Sequence, residues 1–229
     1  MSIADNIKSL KNETDTIKVQ LLAVSKTKPV GEVKEAYDAG QRLFGENMVQ
    51  ELVDKYESLP KDIKWHLIGH LQTNKVKYIA PFISMIQSVD SLKLLQEIDK
   101  HAEKNNRVID CLLQVYIADE ETKYGLGFDE LIELLRSDEY AGLSHIRIRG
   151  LMGIATNTDS EKQIKDEFYE LKNFFDGVKQ SYFRKDPTFD TLSMGMSSDY
   201  KIAIEQGSNM VRLGSTIFGQ RAIKHWKNN

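Results

Sequence analysis

The chain has 229 residues, 41% of them hydrophobic, which suffices for a sizeable buried core, and its formal net charge is −3. That balance leaves no basic field for counterion-release binding to nucleic acid, and the lysines are interspersed with glutamates rather than clustered. No apolar run approaches membrane-spanning length, the start lacks a basic segment followed by an apolar one, and the lone Cys111 excludes an internal disulfide, so a cytoplasmic protein is expected.

In chain order, an amphipathic stretch with Ile3, Ile7 and Leu10 on one face predicts a helix that covers the bottom of the fold. Apolar runs rich in β-branched residues then predict strands at 21–26, 42–46, 64–68, 85–89, 111–116, 146–154, 191–195 and 210–213. Between them the apolar positions repeat every three or four residues. The pattern is clearest at Val33, Ala36 and Tyr37, which Gly40 ends as a C-cap, and at Ile164, Phe168, Leu171, Phe175 and Val178, which Ser160 and Gln163 open as a capping-box pair. Eight near-continuous strands with helical crossovers predict a parallel sheet closed into an α/β barrel, a single (β/α)8 TIM-type barrel with an extra N-terminal helix, in one domain spanning 1–229. The competing open doubly wound sheet would bring a glycine-rich turn after its first strand. Here that turn is Ser25-Lys26-Thr27-Lys28-Pro29.

Lys26 closes the apolar run Leu21-Leu22-Ala23-Val24-Ser25, where desolvation by neighbouring strands disfavours the charged form of an amine. A deprotonated lysine is what Schiff-base chemistry with an aldehyde requires, although a strand-terminal lysine is commonly just a solvated edge charge. In such barrels the chemistry sits at the carboxyl ends of the strands, with phosphate often bound after the seventh and eighth. There the chain offers Gly195-Met196-Ser197-Ser198-Asp199 and Gly214-Ser215-Thr216, small residues with hydroxyls and unshielded amides that could converge on a dianion. Alternatively, Ser197 or Ser198 simply caps a helix running from Asp199 to Gln206. Arg212, near the end of the eighth strand, needs a partner for its guanidinium: a structural carboxylate, or a pyridine nitrogen that a permanent cation would keep unprotonated. Asn47 and His66 could point into the barrel toward a cofactor or Lys26, or serve as satisfied interior polar groups. His66 and His70 flank a strand end rather than one helix face, and His101, His145 and His225 are scattered, so no metal site is expected.

The run Leu192 to Arg221, LSMGMSSDYKIAIEQGSNMVRLGSTIFGQR, resembles the signature of the pyridoxal phosphate homeostasis proteins, whose barrel is similar to the N-terminal domain of alanine racemase. Further matches are LLAVSKTKP at 21–29, FGENMVQEL at 44–52, WHLIGHLQTNK at 65–75 and RGLMGIAT at 149–156. The resemblance implies a pyridoxal 5′-phosphate (PLP) aldimine on Lys26, Arg212 facing the pyridine nitrogen, and a phosphate held by Ser197, Gly214 and Ser215. It also implies a carrier or buffer of PLP, with PLP-dependent apoenzymes as recipients. Tyr116-Ile117-Ala118-Asp119, Gly153 and Ser215 depart from the family's usual residues. Alanine racemase needs a second, β-rich domain that supplies an opposed tyrosine and builds its dimer. No segment here matches it, so a monomer without robust racemisation is expected, a weak PLP-dependent amino-acid racemase being the alternative. A phosphosugar enzyme using Lys26 as an aldolase-type Schiff base is a third reading, which predicts no bound chromophore.

Overall fold

The computed structural model describes residues 2–119 and 124–220. Arg221, the last residue of the C-terminal signature, and His225 lie outside the described residues. Eight parallel strands close on themselves in sequence order: β1 (Gln20–Val24), β2 (Leu43–Glu46), β3 (Lys64–Leu67), β4 (Met85–Val89), β5 (Ile109–Val115), β6 (Ile146–Gly153), β7 (Thr191–Ser193) and β8 (Met210–Leu213). Around them run α1 (Ile3–Thr16), α2 (Val30–Asp38), α3 (Val49–Ser58), α4 (Val76–Ile79), α5 (Leu92–Lys104), α6 (Phe128–Arg136), α7 (Asp138–Ala141), α8 (Glu161–Tyr182), α9 (Tyr200–Glu205) and α10 (Ser215–Phe218). Among the described residues, no helix is long and apolar enough to cross a membrane.

Local chemistry explains the helix boundaries. The N-terminal helix α1 starts at a reciprocal capping box between Ser2 and Asp5 and buries Ile7 and Leu10. At α8 only half of the expected box forms: the Ser160 hydroxyl accepts from Gln163 N, whereas the Gln163 side chain donates instead to Glu167, one turn along. Gly40, at φ +99°, follows α2 in the left-handed region that glycine enters without a Cβ clash.

Strand alternation divides the buried side chains into two sets. Phe44, Trp65, Leu67, Ile86, Leu113, Leu151, Leu192, Val211 and Leu213 join the large apolar cluster between barrel and helices, together with Cys111, a fully buried thiol whose pKa burial pushes up. Met85, Leu112 and Met152 form a smaller cluster separate from that layer. Closure is carried by β1 against β8, where Leu22 lies opposite Arg212. This register brings the last strand's arginine beside the first strand's exit loop.

Candidate functional site

The first strand ends at Val24, so Lys26 stands in the loop beyond it, two residues on. Val24 and Lys26 both line a cavity of about 370 Å³ at the carboxyl ends of the strands. The cavity also collects Asn47 from the end of β2, Ser197 from the loop after β7, Arg212 from β8, and Gly214 and Ser215 beyond it. Six of the seven sequence-predicted site residues therefore share one wall system. The seventh, His66, does not line the cavity; it is buried in β3 and hydrogen-bonded to Gln87.

Arg212 is held by neutral oxygens. Nη1 donates to the carbonyl and hydroxyl oxygens of Ser193, at 2.8 and 2.7 Å, and Nη2 donates to the Gly153 carbonyl at 2.9 Å. Burial pulls its pKa down to about 10, with Asp199 acting in the opposite direction, so the group stays cationic at neutral pH. The hydrogen bonds continue inward with one polarity. Ser193 Oγ donates to Gln87 Oε1 at 2.7 Å, and Gln87 Nε2 donates to His66 Nδ1 at 2.9 Å. An amide nitrogen only donates, so His66 Nδ1 is an acceptor and the neutral ring carries its proton on Nε2. Burial, with Lys64 adding to it, pushes the His66 pKa down to about 3.

The serine-capping alternative fails for Ser197. The N-cap of α9 is Asp199, without a side-chain cap bond, and the Ser197 hydroxyl instead accepts from the amides of Gly214 and Thr216 at 3.2 and 3.3 Å. Two amides from the segment after β8 thus converge on one oxygen from the loop after β7. At the opposite loop Asn47 Oδ1 is buried without a hydrogen-bond partner among the described residues. The chain is tight there: a Cβ on Gly69 would stand 2.4 Å from the Asn47 carbonyl oxygen, so only glycine fits.

Several lining residues carried no chemical signal in the sequence. Lys28 reaches across to the Phe218 carbonyl at 2.8 Å and pairs with Glu32 at 3.7 Å. Ile68, Ile154 and Met196 supply apolar wall. Behind the loop, wholly outside the lining, the buried Lys55 ammonium bonds Glu46, Glu51 and the Ser25 carbonyl. The Glu51–Lys55 spacing of four residues on a helix is the one trace of this cluster in the sequence. A second cavity of about 260 Å³ shares Asn47, Ile68 and Ile154 with the first, and a stacked pair, His70 and Tyr124 at 4.0 Å between centroids, lines it.

Residues 1–222 match the family model described as alanine racemase, N-terminal domain. The chain is 40% identical over 206 residues to the pyridoxal phosphate homeostasis protein of Haemophilus influenzae, covering 89% of this chain and 85% of that one. Its identity to the protein of the same name from Aquifex aeolicus is 41% over 204 residues, covering 88% and 87%. The structure of PipY from Synechococcus elongatus PCC7942 without PLP superposes with a TM-score of 0.88 at 35% identity, covering 95% of this chain and all of that one. The same protein with PLP bound gives 0.85, with the same identity and coverage. Alanine racemase from Bartonella henselae shares the fold, with a TM-score of 0.68 at 16% identity over 96% of this chain and 60% of its own. A closed eight-stranded barrel, a lysine at the exit of its first strand and these relatives agree: the chain belongs to the family of pyridoxal phosphate homeostasis proteins.

Proposed function

We propose that this protein holds pyridoxal 5′-phosphate in the cavity at the barrel mouth, bonded covalently to Lys26, and acts as an intracellular carrier or buffer of that cofactor. The observation that carries the reading is the gathering of Lys26, Arg212 and the Ser197–Gly214–Ser215 cradle around one space of about 370 Å³. Each group matches one part of the ligand. A primary amine suits the aldehyde, the hydroxyls and amides after β7 and β8 suit the phosphate, and a buried cation suits the pyridine nitrogen. The unpaired Asn47 Oδ1 is a buried acceptor that a ligand hydroxyl would satisfy.

When bound, the cofactor supplies an electrophilic aldehyde and an aromatic ring able to accept electron density. Arg212, fixed by Ser193 and Gly153, offers that ring a cation that keeps its own proton, which weakens the electron sink and favours holding over turnover. The whole chain then works as one PLP-binding domain, as a monomer, with PLP-dependent apoenzymes as recipients.

The test is to incubate the purified protein with PLP, follow the visible absorbance, and mix the loaded protein with a PLP-requiring apoenzyme. A stable band followed by recovery of the apoenzyme's activity is expected. A colourless protein overturns the reading, and interconversion of alanine enantiomers at ordinary enzyme rates replaces the carrier with a racemase.

A further inference from the structure

Lys55 lies on α3 with only 3% of its surface exposed, beneath the loop that carries Lys26. An ammonium has three protons, and here all three have acceptors: the Ser25 carbonyl at 2.6 Å, Glu46 Oε1 at 2.6 Å and Glu51 Oε1 at 2.7 Å. The two carboxylates extend the grip. Glu46, fully buried at the end of β2, also accepts from the Ser25 hydroxyl at 2.5 Å, and Glu51 accepts from the Thr27 amide at 2.6 Å.

These contacts fall on either side of one residue. The carbonyl before Lys26 is tied to Lys55, and the amide after it is tied to Glu51. Thr27 itself sits at φ +65°, in a left-handed conformation costly for a β-branched residue and maintained only when its surroundings over-determine it. The Lys28 amide closes the turn on the same Ser25 carbonyl at 3.0 Å. None of Ser25, Glu46, Glu51 or Lys55 lines the cavity, so the cluster acts on the site through the backbone of its neighbours, chiefly Lys26, which it brackets.

We propose that Lys55, with Glu46 and Glu51, is a positioning residue that fixes the backbone of Lys26 so that its amine meets the cofactor aldehyde in one orientation. This rests on the covalent reading above. In the step concerned, the Lys26 ammonium gives one proton to water, its nitrogen forms a double bond to the aldehyde carbon as the carbon–oxygen bond breaks, and the aldehyde oxygen leaves as water with the nitrogen's two remaining protons. A loosened loop spreads the amine over many positions and lowers the fraction bonded, while the phosphate and ring contacts are untouched.

The test compares Lys55→Met, Lys55→Arg and Glu51→Ala with the parent protein and with the exposed-site control Lys34→Met. Two quantities are read: the fraction of residue 26 carrying cofactor after borohydride reduction, and the affinity for pyridoxine 5′-phosphate, which has no aldehyde. Lys55→Met is expected to lower the bonded fraction about tenfold at limiting PLP, with the affinity for pyridoxine 5′-phosphate within about twofold, and Lys55→Arg to restore part of the loss. If Lys55→Met does not fold, Glu51→Ala decides, because Glu51 is one-quarter exposed and removes only the Thr27 tether and one of the three acceptors. A parent protein that bonds PLP while the folded variants bond it equally well, or lose both readouts together, overturns the positioning role alone. A parent protein with no reducible bond at residue 26 overturns the covalent reading and this role with it.

Discussion

Arg212 donates through one nitrogen to both the carbonyl and the hydroxyl of Ser193, a residue 19 positions earlier on the neighbouring strand. The same hydroxyl donates a hydrogen bond to Gln87 Oε1, so removing it strands a buried acceptor and loosens a buried cation. Ser193→Ala is expected to cost about 1–3 kcal/mol of stability. Urea unfolding at fixed pH measures it, and a cost near zero means that the chain from Arg212 to His66 contributes nothing net.

Lys26→Ala is expected to remove the covalent bond and leave weaker binding that still needs the phosphate, because the cradle of Ser197, Gly214 and Ser215 is intact. Titration of the variant with PLP, and with pyridoxal that lacks the phosphate, separates the two contributions. The phosphorylated form should bind about 100-fold more tightly, roughly two charge-assisted hydrogen bonds. Equal affinities would remove the phosphate from that cradle.

Arg212→Glu is expected to change the absorbance of the bound cofactor, since a carboxylate permits protonation of the pyridine nitrogen where a guanidinium does not. Circular dichroism in the far ultraviolet checks that the barrel survives. An unchanged visible spectrum in a folded variant places the ring away from Arg212.

His66 gives the fold an acid sensitivity of definite sign. Its folded pKa, pushed down to about 3 by burial, lies below the unfolded value near 6.5. Between these limits the unfolded chain binds a proton that the folded chain does not, so this contribution is complete above about pH 6.5 and is lost as pH falls toward 3. Glu46, raised by burial despite Lys55, acts the other way just above its unfolded value of 4.5, so the comparison must be with His66→Gln. That variant should lose up to about 1.4 kcal/mol per pH unit of slope from the stability curve in this range. Parallel curves would mean that His66 already titrates normally in the fold.

Much of the barrel was legible because it rests on short-range pattern. Apolar runs with β-branched residues mark all eight strands, and both ends of β4 and of β8 coincide with the expected ones. Several other ends differ by one or two residues: β1 stops at Val24 and β7 at Ser193, before the expected ends, and β5 begins at Ile109, before the expected start. The site was legible where a residue type stands at a strand's exit, as with Lys26, Arg212 and the glycines. It was not legible where function depends on contacts between distant segments. Nothing near Ser197 indicates that its hydroxyl would meet the amides of residues 214 and 216 rather than cap its own helix. The strand position of His66 admits a cofactor contact or a satisfied interior polar group, and only the fold shows its bond to Gln87. For Lys55 the sequence offers only its four-residue spacing from Glu51, and its three acceptors come together only when α3 is laid over β2.

The most direct measurement is peptide mapping by mass spectrometry after borohydride reduction of the PLP-loaded protein. The expected result is a single pyridoxyl phosphate adduct on Lys26, absent from Lys26→Ala. An unmodified residue 26, or an adduct on another lysine such as Lys28, contradicts the assignment.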